Sequence, residues 1–395
     1  MILMYKPGTG SETGPLGTPE LFDTLNTFGV LDMNSLGDVL VVGKSTETGT
    51  FTGEGLVEIY TRTGSGFVLS QILSPSDVNA TDWLFGKAVK ITPSGDRILV
   101  GSPGANGDDG AIYKFDRSGA TWTETEIIPG PLGLGEGFGY DLETTVDGTK
   151  MTVQSPNKVS TTTRSSLYEE SGGTFTFSQF LVWDGMGEAT GGASDVLPII
   201  SGDGNVIAVS SITSNGSEGS ATVYKWNGSA YVASDVLTKF VNNDPGDYFR
   251  IAAINYDGSR LVASVPGYWS NTTPRVGIAI RFTETTPGTW ITDGSFLGSS
   301  TANDYNNRNI VMSDDGTRFA MSGADNDLAS STNLGQIRLW LEKGPLGFEA
   351  GIFPPQTPTP WQSNVRFGDN LAMSGNARYI AGTAAIPGVV YIYKR

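Results

Sequence analysis

One turn recurs seven times between apolar runs, and that recurrence constrains the fold more than any other feature of the chain. It reads Leu36-Gly37-Asp38, Ser94-Gly95-Asp96, Asp147-Gly148, Asp203-Gly204, Asp257-Gly258, Asp315-Gly316 and Gly375-Asn376, at steps of 53–59 residues. A period in this range marks a chain of repeated supersecondary units. Asp-Gly and Gly-Asp between apolar runs predict two-residue hairpins, because such turns need positive φ.

Each turn is followed by a short β-branched run, such as Val39-Leu40-Val41-Val42-Gly43 or Val206-Ile207-Ala208-Val209-Ser210. A continuous apolar run of this length fits a strand buried on both faces. A variable loop follows, then a third strand with period-two alternation, as in Val57-Glu58-Ile59-Tyr60 and Val223-Tyr224-Lys225-Trp226. A Gly-rich hairpin leads to a fourth strand, which opens on an aromatic (Phe67, Trp122, Phe175, Tyr231, Trp290, Phe348) and closes on an apolar pair such as Ile72-Leu73 or Val236-Leu237. Four strands per unit make the blade of a propeller. The expected fold is all-β, a seven-bladed β-propeller with four-stranded antiparallel blades. Abundant glycine (53 residues) and sparse charge (17%) agree with an all-β chain rich in turns.

The seventh unit ends at Arg395 after its third strand, so its fourth strand must come from elsewhere. Pro19 to Leu25 has the required form, with Phe22 read as the opening aromatic and Leu25 as the closing residue. Pairing this segment with the last unit removes the open edge between first and last blades. Ile2-Leu3-Met4-Tyr5-Lys6 is the alternative closing strand. The chain accordingly divides into an N-terminal arm or extra edge strand at 1–18 and one propeller over 19–395. The closing strand falls at about 19–25, with blades at about 28–73, 84–128, 138–181, 195–237, 247–297, 305–353 and 365–395.

Unit two resembles an FG-GAP repeat, the blade family also found in the integrin α-subunit. Phe85-Gly86 opens it, Gly95-Asp96 turns, Val100-Gly101-Ser102-Pro103 follows, and Gly110-Ala111-Ile112-Tyr113-Lys114-Phe115 closes. Phe28-Gly29, Phe138-Gly139 and Phe367-Gly368 repeat the opening, whereas units four, five and six start near Leu197, Phe249 and Asn309 without it. The resemblance implies a propeller and, in many members, a calcium loop in the first hairpin. Here those turns read Thr92-Pro93-Ser94-Gly95-Asp96 or Ser313-Asp314-Asp315-Gly316, too poor in closely spaced carboxylates for a calcium shell. No cofactor is therefore expected.

Composition narrows the function. The chain has no histidine and no cysteine, which removes Ser-His-Asp, Cys-His and ordinary zinc chemistry as well as disulfides. Its net charge of −16 disfavours nucleic-acid partners. No apolar run approaches a membrane span or a secretory signal, so membrane insertion is not expected.

Candidate sites lie in the loops. Asp325-Asn326-Asp327 and Asn106, Asp108 and Asp109 read either as a divalent-cation site or as turn residues that bond their own backbone. Trp83, Trp183, Tyr268, Trp269 and Trp361 stand outside the repeat register, so they read either as anchors for a glycan or protein partner or as packing. Trp122 and Trp290 sit in register and read as packing. Glu169-Glu170 and Asp314-Asp315 read as solvated, since neighbours on a strand point to opposite faces. Four Asn-x-Ser/Thr triplets, at Asn79, Asn215, Asn227 and Asn271, are what chance gives in this composition.

These readings predict a non-enzymatic structural or adhesion propeller displayed on a virion or other surface, as a capsid decoration or a tail or attachment protein. Its partners would be other subunits, or a host receptor or glycan. A carbohydrate-binding propeller is the first alternative and a carboxylate-dependent glycan hydrolase the second.

Overall fold

The computed structural model describes residues 20–133, 135–156, 162–181, 189–190, 196–212, 218–238, 247–267, 277–297, 309–323, 335–342, 348–353 and 366–395. The proposed arm at 1–18 lies outside them. Seven antiparallel sheets follow one another along the chain, six of them running from an innermost strand outward in sequence order and the seventh taking its outermost strand from the N-terminus. In the third blade Ala189–Thr190 adds a short fifth strand beside Thr162–Ser171.

The ring closes through the N-terminus. Glu20–Leu25 pairs antiparallel with Val389–Lys394, with Leu21 opposite Tyr393 and Leu25 opposite Val390. The register corrects the role expected of Phe22. In blade one Ser70 is the extra residue of a β-bulge between Leu69 and Gln71, and Phe22 takes the matching place between Leu21 and Asp23. Its ring still packs edge-on against Tyr379 at 5.6 Å and Phe67 at 6.2 Å, tying blade seven to blade one.

Each second strand is buried on both faces, as in Val39–Val42 and Ile98–Val100, because neighbouring blades cover it. The outermost strands of blades one to four bury the opening aromatic (Phe67, Trp122, Phe175, Tyr231) and the second residue of the closing pair: Leu73 and Leu237 are buried while Ile72 and Val236 are exposed. A β-bulge recurs in the outer strands at Ser70, Thr125, Ser178 and Ser234. Ser70, Thr125 and Ser234 donate back to third-strand carbonyls. Such bulges blunt an edge that would otherwise template pairing with another chain.

The recurrent turns are four-residue loops, not the two-residue hairpins expected. Thr145 and Lys150 close the third one, with Gly148 N–H donating to the Thr145 carbonyl. Only the glycine takes positive φ, as four-residue loops built on a type I turn require. Asp147 holds the loop by accepting from Thr145 Oγ1, Thr149 N–H and Thr149 Oγ1. In the seventh loop Ala377, at φ +55°, fills the glycine's place, with its N–H on the Ser374 carbonyl. The left-handed position of the seventh turn thus falls two residues after Gly375.

A second device latches blade to blade. Phe85, Phe138, Phe249 and Phe367 are fully buried at the entry to their blades. Each lies against a positive-φ glycine of the preceding blade (Gly55, Gly110, Gly219, Gly335), where a Cβ would come within 2.3 Å of the phenylalanine backbone. Phe249 fills this place although Arg250 follows it instead of glycine. Phe28, at the closure seam, is 36% exposed and stands outside this pattern.

Candidate functional site: the central channel

The seven innermost strands wall a channel, and a cavity of about 220 Å³ lies in it towards the hairpin face. Its wall is divided. Five residues before the turn glycine, blades one to three present Asp32, Lys90 and Glu143, whereas blades four to six present Ile199, Ala253 and Val311. Ile254, Met312 and Met373 extend the apolar arc.

The polar arc is electrostatically coupled. Lys90 Nζ ion-pairs with Glu143 Oε1. Asp32 Oδ2 accepts the Ile91 N–H at 2.8 Å, joining blade one to blade two. Desolvation deep in the channel raises Asp32 and Glu143 above the usual carboxylate range, while Lys90 pulls both down. Burial pushes the Lys90 ammonium down, but Glu143, Asp32 and Asp141 outweigh it and hold it above the ordinary lysine value. At the other end of the inner strands Asp141 is also raised by desolvation, and Lys90, Arg250 and Lys87 oppose the rise.

Hairpin backbones knit the cavity's rim. Ser35 N–H donates to Pro93 O, Val146 N–H to Gly202 O, Asp203 N–H to Tyr256 O, Tyr256 N–H to Asp314 O, and Asp314 N–H to Gly375 O. Ser35 Oγ donates to Asp314 Oδ2 at 2.6 Å in front of Gly375, where an added Cβ would come within 2.2 Å of both oxygens. Desolvation raises Asp314 as well. Carboxylates shifted upward beside an ammonium, in a cavity, mark a place where binding or proton transfer is built. Among the described residues no group of three acidic side chains is disposed to hold a metal ion.

The loop candidates fare differently. Trp83 is 1% exposed, and its Nε1 donates to Tyr113 Oη at 2.9 Å while that hydroxyl donates to Asp77. It is packing, not a partner anchor; Tyr113 and Asp77 satisfy its polar edge and draw it inward. Trp183, Tyr268, Trp269 and Trp361 lie outside the described residues, as do Asp325, Asn326 and Asp327. Asn106 and Asp108 adopt positive φ, and Asp109 Oδ1 accepts the N–H of Gly135, 26 residues further on, so the carboxylate ties this turn to the segment entering blade three. Trp122 is buried on the register expected of it, and Trp290 packs partly buried against the core between blades four and five.

The reading of Glu170 and Asp314 as solvated is corrected. Glu170 pairs with Arg97 and with Lys114, whose side chain is 2% exposed, because the third strand is covered by the preceding blade. Asp314 faces the channel rim while Asp315 turns into its own hairpin. Sequence reasoning missed the channel residues. Their signal is a charged residue directly after an apolar one, five residues before the turn glycine, visible only when units are compared with each other.

The fold and this divided channel define a seven-bladed β-propeller. No protein-family model matches the chain, and no curated protein does. Solved structures share the fold. The β-propeller domain of Cps50 (Swd1) from Myceliophteria thermophila is 11% identical over 95% of this chain and 99% of its own, with a TM-score of 0.63. A putative 6-phosphogluconolactonase from Bacteroides uniformis is 14% identical over 90% and 92%, at 0.58. An oligogalacturonate lyase in complex with manganese is 10% identical over 94% and 90%, at 0.56. Identities this low carry the fold and no activity. They do correct the expectation that the chain is not an enzyme: propeller rings of this kind include enzymes, so repeat architecture and missing histidines do not exclude catalysis. No helix among the described residues is long and apolar enough to cross a membrane.

Proposed function

We propose that the chain is a binding propeller that takes a small ligand into its central channel. The division of the wall carries this reading: Asp32, Lys90 and Glu143 on one arc face Ile199, Ala253 and Val311 on the other, around one cavity. Charged groups placed beside apolar side chains in one concavity can fix the orientation of a small ligand. Ligand-observed NMR with a mixture of small polar and apolar compounds tests it. Signals that saturate with wild type and disappear with Val311→Trp are expected; equal saturation by both proteins overturns the reading.

A second reading, display in a larger assembly such as a virion or another surface, draws support from the rim. Val68 and Ile72 of blade one and Val232 and Val236 of blade four are exposed at matching positions of the outermost strands. Mass spectrometry of purified particle and surface fractions tests it, and absence of the chain from both sinks it. The repeats themselves we read as FG-GAP-like, with the buried Phe85, Phe138 and Phe367 as support.

A further inference from the structure

We infer that the ligand of the channel is a small organic cation, its ammonium group seated beside Asp32 and Glu143 and its apolar body against Ile254, Val311 and Met312. The inference rests on the channel being a ligand site and adds the chemical class. Three carboxylates line the cavity (Asp32, Glu143 and Asp314) against one ammonium, Lys90. Lys90 is already engaged by Glu143, so an anion finds no free partner there, whereas a cation meets an excess of negative charge. The other charges near the channel, the anion Asp141 and the cations Lys87 and Arg250, lie at the ends of the inner strands outside the cavity lining, which keeps its own negative excess.

The opposite arc decides against a bare inorganic ion. Ile254, Val311 and Met312 are only half-buried although they face inward, and their side chains give a hard cation such as sodium, magnesium or calcium no oxygen ligand. They give a hydrocarbon body a place to leave water. A monovalent ammonium with a short apolar group satisfies both walls at once, which neither a carboxylic acid nor a sugar does.

Three probes of one shape separate the outcomes: benzylammonium, benzyl alcohol and benzoate at neutral pH, followed by saturation-transfer NMR and titration. The expected result is that benzylammonium binds at least tenfold more tightly than either isostere. Its affinity should fall about tenfold in Asp32→Asn, which keeps the acceptor for the Ile91 N–H, and in Glu143→Gln, and vanish in Val311→Trp. The three wild-type titrations need no variant to fold, and thermal midpoints check those that are made. If all three probes bind alike and Val311→Trp abolishes them, the channel is a ligand site and the cation assignment falls. Should no probe bind, or Val311→Trp leave binding intact, the channel reading falls with it.

Discussion

At Gly258 the backbone stands at φ +69°, and an added Cβ would meet Val206 Cγ2 of the preceding blade at 2.4 Å. The other turn glycines meet the preceding hairpin in the same way: Gly95 meets Asn34, Gly148 meets Thr92, Gly316 meets Asn255, and Gly37 meets Tyr379 across the closure. These residues therefore serve both the loop conformation and the stacking of blades. Gly258→Ala should cost at least about 1–2 kcal/mol from the left-handed backbone alone, read as a shift in urea midpoint. Neighbouring carboxylates give a second test. Burial pushes Asp314 up, whereas at Asp315 bonds from Ser313 and Thr317 outweigh burial and hold it below 3.8. A raised carboxylate binds its proton more tightly when folded, so its contribution to stability falls as pH rises through that range. Asp314→Asn should accordingly stabilise the protein at neutral pH and be neutral in acid. Asp315→Asn should destabilise it at neutral pH, and that deficit should fade as pH drops below 3.8 through the lowered folded value. Urea unfolding at several pH values reads both, and parallel pH profiles for the two variants would contradict the assignment.

Among the elements, the latch between blades is the feature most open to mutation. Phe138 is fully buried, packs tilted against the Tyr168 ring at 5.2 Å, and donates its N–H to Asp109 O of blade two. Phe138→Ala should cost about 3–5 kcal/mol, measurable as a lowered unfolding midpoint; a loss below 1 kcal/mol would mean the latch bears little of the packing. Strand order and the two-face burial of second strands were legible because period and apolar runs report them directly. Loop length was not, since Asp-Gly suits both a two-residue turn and the second and third positions of a four-residue loop. Ala377 hid the seventh turn because the left-handed residue there is not glycine. Phe22 resembles an opening aromatic, yet it lies three residues before Leu25, whereas Phe67 lies six before Leu73. Trp83 stays open between anchor and packing in the sequence, because no sequence pattern shows Tyr113 reaching out to it. The channel residues escaped notice since a lone polar residue on a strand resembles ordinary alternation.

Across the whole molecule, seven units related by one period bury their sheets against each other, and the N-terminal strand supplies what the last unit lacks. Ring geometry then brings Asp32, Lys90 and Glu143, which are far apart in sequence, to one arc of a channel. Closure is thus the premise of both the fold and the site. A cross-link between the two ends tests it directly. Glu20 lies opposite Lys394, and directly opposed residues of an antiparallel pair have Cα atoms about 4.5–5.5 Å apart, within disulfide reach. The chain has no cysteine of its own, so Glu20→Cys with Lys394→Cys offers a single possible pairing. Mild oxidation should give a monomer that has lost two hydrogens by mass and unfolds at higher temperature than its reduced form. Thiols that stay free, or that cross-link only between molecules, would contradict the closed ring.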